Sequence, residues 1–172
     1  MFFLLFSLPC LGGMASGLLG RKIGVTGSHI ITTSAVMIAA ILSIIGFYEV
    51  VLCHSPVTIH LGDWVHSEVL TVSWSLTFDT LSMSIITTVL IISSLVHLYS
   101  IDYMSSDPHN QRFFSYLSLF TFFMVLLVSG DNYFVLFVGW EFIAVCSYLL
   151  INFWFTVIEA NKSAMQSFIR SE

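Results

Sequence analysis

The chain has 172 residues, of which 57% are hydrophobic and only 9% are charged. A typical globular protein has about 25% charged residues, so this composition excludes an ordinary water-soluble domain and indicates that lipid covers much of the surface. The formal net charge is −5 and the five basic residues are scattered, which excludes a basic patch for nucleic acid.

Five apolar segments are long enough to cross a membrane, since a spanning helix needs about 20 mainly apolar residues. Backbone groups find no water in hydrocarbon, so each segment is predicted to be helical. We therefore predict one all-α transmembrane domain with about five spanning helices. The predicted helices cover about residues 1–20, 30–52, 80–101, 113–130 and 132–156, followed by a polar interfacial tail over 157–172.

Small residues in the first segment indicate how it packs. Gly13, Gly17 and Gly20 recur at a spacing that favours close approach of another helix. The alternative interpretation is that these glycines face lipid and are merely tolerated there.

The basic residues predict the orientation. With five spans, Arg21, Lys22, Arg112, Lys162 and Arg170 all fall on one side of the membrane. Basic residues favour the inner side. The N-terminus is therefore predicted outside and the C-terminus inside.

The longest connection, residues 54–78, alternates between apolar and polar residues. Val57, Ile59 and Leu61 alternate with polar neighbours until Gly62–Asp63 interrupts the pattern. This predicts a short β-hairpin on the outer surface, with an irregular loop as the alternative. Three histidines recur here at six-residue intervals, but surface histidines without a metal are the favoured interpretation: His54, His60 and His66.

No sequence feature predicts a cofactor or a metal. The cysteines show no CxxC spacing and no metal-ligand spacing with histidine, so they are interpreted as apolar core residues: Cys10, Cys53 and Cys146. No glycine-rich phosphate loop and no nucleophile triad is recognisable. We expect no redox centre in this chain.

The fifth apolar segment contains one charge, Glu141. It lies nine residues past Asn132, about 13 Å along a helix and near the middle of a membrane core roughly 30 Å thick. An ionisable residue there is costly and indicates a functional site. Tyr148 and Asn152 fall within about 20° of it on a helical wheel, which predicts a polar stripe facing protein or water. A permanently protonated, hydrogen-bonded Glu141 is the alternative.

His97 is a second candidate, near the inner end of the third helix. A histidine titrates near neutral pH, so His97 could relay protons to or from the inner surface. A packed interface histidine is an equally good interpretation.

The motifs HLYSIDYM at 97–104 and GWE at 139–141, the latter continuing to CSYLLINFWF at 146–155, resemble chain 5 of mitochondrial NADH–ubiquinone oxidoreductase. This family is the antiporter-like, proton-pumping membrane subunit of respiratory complex I. The resemblance implies that Glu141 is the key membrane carboxylate. In the family that glutamate pairs with a lysine on a later broken helix, which we expect beyond residue 172. Departures from the usual pattern are Phe142, Ala144, Val157 and Glu159.

The resemblance also implies where the chain resides and what it binds. It implies the mitochondrial inner membrane, with the N-terminus facing the intermembrane space and the C-terminus facing the matrix. It implies that NADH, FMN, iron–sulfur clusters and ubiquinone are bound by other subunits. The expected partners are other membrane-arm subunits, among them a neighbouring antiporter-like subunit, a separately encoded remainder of chain 5, and lipids.

Two alternatives to a complete proton pump stay open. One is a structural fragment of the distal membrane arm that lacks its own proton channel. The other is a subunit of a related cation/proton antiporter.

Overall fold

The fold was described from a computed structural model covering residues 1–171. Glu172, the last residue of the predicted tail, lies outside the described residues. The elements are, in chain order, α1 (Phe2–Phe47), a π-helical turn (Tyr48–Leu52), β1 (Val57–His66), β2 (Thr71–Phe78), α2 (Thr80–Tyr103), α3 (Asn110–Ser129), α4 (Tyr133–Ile151) and α5 (Ile158–Ser171).

Within residues 1–171, four helical stretches are long and apolar enough to cross a membrane: Phe2–Leu52, Thr80–Tyr103, Asn110–Ser129 and Tyr133–Ile151. The first has 51 residues, more than twice the length that one crossing needs. It is not one straight rod, because Gly24 has φ 81° and ψ 176°. Glycine adopts this conformation readily because it has no Cβ.

Contacts show that α1 reverses direction at Gly24. An ideal Cβ on Gly12 would lie 3.1 Å from the Cβ of Ala35, and one on Gly46 would lie 3.2 Å from the ring of Phe2. In a straight helix, residues 12 and 35 would be about 34 Å apart. Residues 2–23, here α1a, and 25–47, here α1b, therefore pack antiparallel. Two passes in α1 and one in each of three further helices confirm an all-α transmembrane fold of about five spans.

The predicted β-hairpin is confirmed. Strands β1 and β2 pair antiparallel from Val57↔Phe78 to His66↔Thr71, with irregular register next to Gly62. The strand β2 also joins the α3–α4 turn, because the Ser75 hydroxyl donates to Asp131 Oδ2 at 2.7 Å. The hairpin thus covers one end of the helices, here called the hairpin face. The opposite end, with Gly24 and the connections 104–109 and 152–157, is called the loop face.

The interface of α1a with α3 uses glycine and serine. An ideal Cβ on Gly13 would lie 3.0 Å from Leu119 Cγ, and one on Gly17 would lie 2.7 Å from Ser115 Oγ. The Ser115 hydroxyl donates to the Gly13 carbonyl at 2.8 Å. The predicted close packing at these glycines is therefore observed. Inside the apolar interior, the serine hydroxyl donates its hydrogen bond to a backbone carbonyl.

The predicted tail contains α5, which doubles back along α4. The Trp140 indole donates to the Ser171 carbonyl at 3.1 Å, and the rings of Tyr148 and Phe168 lie 5.7 Å apart. The end of α5 therefore lies at the depth of Trp140, beside Glu141. Arg170 lies at that depth and not at the loop face with the other basic residues. Four basic residues remain that favour the predicted orientation: Arg21, Lys22, Arg112 and Lys162. The orientation stays a prediction.

Candidate functional site

Glu141 occupies the middle of α4, a helix of 19 residues that begins at Tyr133. At about 1.5 Å per residue it lies about 12 Å from the helix start. Its side chain is half-buried. Two neighbours fix how α4 is oriented: Gly139 lies against Leu127 of α3, and the ring of Phe142 stacks on Phe123 of the same helix at 4.7 Å.

On a wheel of about 100° per residue, Glu141 points away from the α3-facing side of α4. Residues around it on that side are exposed in the described chain: Phe134 is 48%, Phe137 60% and Val145 40% accessible. Among residues 1–171 the Glu141 carboxylate has no hydrogen-bond partner and no cation within 4.0 Å. The carboxylate thus lies near the middle of α4, beside the end of α5 and next to apolar side chains that this part of the chain leaves exposed.

The predicted companions of Glu141 follow it along the same face of α4 toward the loop face. Tyr148 and Asn152 are both half-buried. The Oδ1 atom of Asn152 is buried without a hydrogen-bond partner. Asn152 lines a cavity of about 200 Å³ together with His109, Arg112 and Tyr116. The stripe therefore ends at a cavity on the loop face that both polar and apolar side chains line, while its role in proton transfer stays a prediction.

His97 lies elsewhere, inside the packing of α2. Its side chain is fully buried, and Nδ1 donates to the Ser93 carbonyl at 2.7 Å. That bond requires a proton on Nδ1, because a carbonyl oxygen only accepts. The other ring nitrogen, Nε2, is buried and has no partner among residues 1–171. The Ser93 hydroxyl lies 2.5 Å from Thr121 Oγ1 of α3, so His97 belongs to a small polar group between α2 and α3.

Sequence reasoning missed a second buried histidine. His29 of α1b is 9% exposed and its ring lies 4.5 Å from that of Phe114, whose ring is also 6.2 Å from His97. His29 Nε2 and Thr33 Oγ1 are buried without partners. Such atoms commonly bind internal water. One sequence signal could have revealed it. Polar residues recur about one helical turn apart beside an apolar run: Ser28, His29, Thr32 and Thr33.

The structure does not bring His97 and Glu141 together. The polar group around His97 lies among α1b, α2 and α3, whereas Glu141 lies on the side of α4 turned away from α3. No hydrogen bond within residues 1–171 connects the two. They are therefore separate candidates, and the role of each in proton transfer stays a prediction.

Acidic residues at the helix ends have structural partners. Asp79 caps α2, and the hydroxyl and backbone N–H of Ser82 hold the pKa of its carboxyl below the ordinary value. Asp107, in the α2–α3 connection, accepts from the backbone N–H of His109 and from the Trp154 indole, each at 2.9 Å. These two bonds, the first more strongly, lower the pKa of Asp107. Both residues stabilise connections at the helix ends.

The histidines of the hairpin are not gathered into a metal site. His60 Nε2 lies 3.3 Å from Asp63 Oδ1, and both side chains are mostly exposed. In the part of the chain that the structure describes, no three histidine, cysteine or acidic side chains are placed to hold one metal ion.

Comparison with known proteins assigns the family. Residues 64–114 match the family described as NADH-ubiquinone oxidoreductase (complex I), chain 5 N-terminus, and residues 130–172 match the family described as NADH:quinone oxidoreductase/Mrp antiporter, TM. The NADH-ubiquinone oxidoreductase chain 5 of Mycosarcoma maydis is 60% identical over 98% of this chain. The chain belongs to the NADH–ubiquinone oxidoreductase chain 5 family.

Other relatives of the same name agree with this assignment. The chain 5 proteins of Cryptococcus neoformans and Rhizopus stolonifer are 59% and 56% identical over 97% and 98% of this chain. The chain spans about a quarter of the length of these relatives, 25% to 26%. Glu141 and its stripe fall within the second matched region, and His97 falls within the first.

Proposed function

We propose that this chain forms part of the membrane arm of a proton-pumping NADH–ubiquinone oxidoreductase and that Glu141 carries a proton at mid-membrane. The family membership and the antiporter description of the second matched region support the proposal. The observation that carries it is the position of Glu141, half-buried at the centre of α4 beside the end of α5. An ionisable group at that depth indicates function.

In this proposal the route to Glu141 begins at the loop face. Water enters the cavity that Asn152 lines, where the buried Asn152 Oδ1 has no hydrogen-bond partner, and proceeds past Tyr148. Glu141 and Tyr148 are about 10 Å apart along the helix axis, so water must bridge them. Whether the carboxylate holds or releases its proton then depends on charge brought within about 6 Å.

The remaining parts of the enzyme are proposed to lie elsewhere. Oxidation of NADH and reduction of ubiquinone take place in other subunits, which hold FMN and iron–sulfur clusters. The partners of this chain are other membrane-arm subunits, including an antiporter-like neighbour and the part of the chain 5 family that these residues do not span. The proposed location is the mitochondrial inner membrane, with the loop face toward the matrix.

A structural role is the second candidate. It is favoured by one observation, the absence of a cation within 4.0 Å of Glu141 among residues 1–171. A carboxylate that forms no ion pair holds its proton more readily than a paired one. In that case the five spans fill one end of the membrane arm without transporting protons themselves.

Replacement of Glu141 by Gln distinguishes the two candidates. The amide keeps the size of the side chain and removes its proton chemistry. Proton pumping per NADH oxidised is measured in sealed membranes that contain the complete enzyme. The proton-carrier proposal expects pumping to be lost or coupled turnover to slow, with Glu159→Gln as the control because Glu159 lies at the start of α5. Wild-type pumping in Glu141→Gln would favour the structural role.

A further inference from the structure

The loop face contains a polar cavity of about 380 Å³ between the end of α1a and the start of α3. Arg21 reaches it from α1a, and His109 and Arg112 reach it from the α2–α3 connection and the first turn of α3. Neither guanidinium group makes a hydrogen bond or an ion pair with any residue among 1–171. No acidic side chain lines the cavity. Two guanidinium groups thus share one cavity with no counter-charge.

Glycine keeps this cavity open. Gly17 and Gly20 form part of its wall, and an ideal Cβ on Gly20 would lie 3.3 Å from the Gln111 side chain. Larger residues on this side of α1a would fill the space next to the arginines. The Ser16 hydroxyl donates to the Gln111 carbonyl at 3.0 Å, so the wall is held in place and the arginine donors remain available.

The side of α1a that carries Arg21 also presents an apolar surface suited to acyl chains. Leu11, Met14 and Leu18 follow one side of α1a and are 61%, 49% and 76% exposed. Met14 lies two turns from Arg21 on the same side of the helix. A ligand with an anionic head and long apolar tails would place its head between the arginines and its tails along this surface.

We propose that this cavity binds the phosphate of an anionic phospholipid. Guanidinium groups bind phosphate oxygens through paired, charge-assisted hydrogen bonds. Basic pockets between membrane helices at the interface suit such headgroups. The apolar surface beside the cavity favours a lipid over free phosphate as the occupant. The proposal does not depend on proton transfer at Glu141, although His109 and Arg112 line both this cavity and the one at Asn152.

The test uses the protein purified from its native membrane in mild detergent, with its accompanying subunits. Native mass spectrometry counts the phospholipids that stay bound to wild type and to the variant Arg21→Gln/Arg112→Gln. The control is Lys22→Gln, which removes one positive charge beside the cavity but none from its wall. The double variant is expected to lose one anionic phospholipid, and the control to lose none. Equal counts in all three would overturn the proposal.

A second measurement separates the sources of phosphate and guards against misfolding. Delipidated protein is titrated with phosphatidylglycerol, phosphatidylcholine or inorganic phosphate while its thermal unfolding is followed. Phosphatidylglycerol alone is expected to raise the Tm of wild type, and each Arg→Gln change is expected to weaken that binding about fivefold. Arg→Lys variants, which keep the charge, should weaken it less. An arginine-dependent effect of inorganic phosphate alone would overturn the lipid as occupant.

Discussion

Gly139 brings the backbone of α4 against the backbone of Leu127 in α3. An ideal Cβ on Gly139 would lie 2.9 Å from Leu127 Cα and 3.0 Å from its nitrogen. Gly139 is two residues before Glu141, so this contact fixes both the depth and the rotation of the carboxylate. The small residue at the start of the GWE motif therefore positions the acidic residue at its end.

Gly139→Ala is expected to lower stability, because the added methyl group meets backbone that cannot rotate away. Overpacking of this kind costs about 1–3 kcal/mol, more than the helix propensity that alanine gains. The measurement is the thermal unfolding temperature in detergent. Gly20→Ala is the control, since its new Cβ would meet only the flexible Gln111 side chain. A Tm for Gly139→Ala at or above that of Gly20→Ala would contradict the packing argument.

The reversal at Gly24 is testable by cross-linking. Cysteines at positions 12 and 35 are expected to form a disulfide, because an ideal Cβ on Gly12 lies 3.1 Å from Ala35 Cβ and disulfides need β-carbons within about 4.5 Å. Cys10 is first replaced by Ala. The product is detected by its mobility on a non-reducing gel after cleavage in the Gly24 connection. Cysteines at 12 and 38 serve as the control, and absence of any 12–35 product would show that α1 does not fold back.

His97→Phe separates a relay from a packing role. The phenyl ring keeps the aromatic packing and removes both Nε2, a buried atom without a partner, and the hydrogen bond from Nδ1 to the Ser93 carbonyl. Because removing the first is favourable and losing the second is not, the Tm is expected to change little. If His97 relays protons, pumping nevertheless slows. Ser94→Ala is the control, because Ser94 bonds only to the Ile91 carbonyl of its own helix. Normal pumping in His97→Phe would assign His97 to packing alone.

The hydrogen bonds of Asp107 at the loop face predict that the stability of the fold depends on pH. Its hydrogen bonds to His109 and Trp154 lower its pKa in the folded protein. The ionised carboxylate therefore stabilises the fold fully above the ordinary pKa of about 3.9, and the contribution is lost as the pH falls through the lowered value. Asp107→Ala is expected to cost about 1 kcal/mol or less at pH 7, since the pair is exposed.

The measurement is the unfolding free energy of wild type and Asp107→Ala as a function of pH, with Trp154→Phe as a parallel variant that removes only the indole bond. The difference between wild type and Asp107→Ala should shrink below the lowered pKa. A constant difference across that range would contradict the assigned cause.

The sequence alone determined that the chain spans a membrane, that five segments cross it, and that a hairpin joins the second and third. These follow from hydropathy and alternation, because the bilayer imposes length and backbone pairing on any sequence that enters it. The depth of Glu141 was likewise determined by counting residues along one helix. The resemblance carried by HLYSIDYM and GWE then predicted the family.

Only the tertiary structure decided which side chains meet. The reversal at Gly24 depends on a single conformation, and the doubling back of α5, which carries Arg170 to mid-membrane, depends on packing against Trp140 and Tyr148. The placing of His29 near His97, and of Arg21 beside Arg112, joins residues far apart in the chain. Periodicity along one helix gives the direction of a side chain relative to its neighbours, but it does not determine which other helix that side chain contacts.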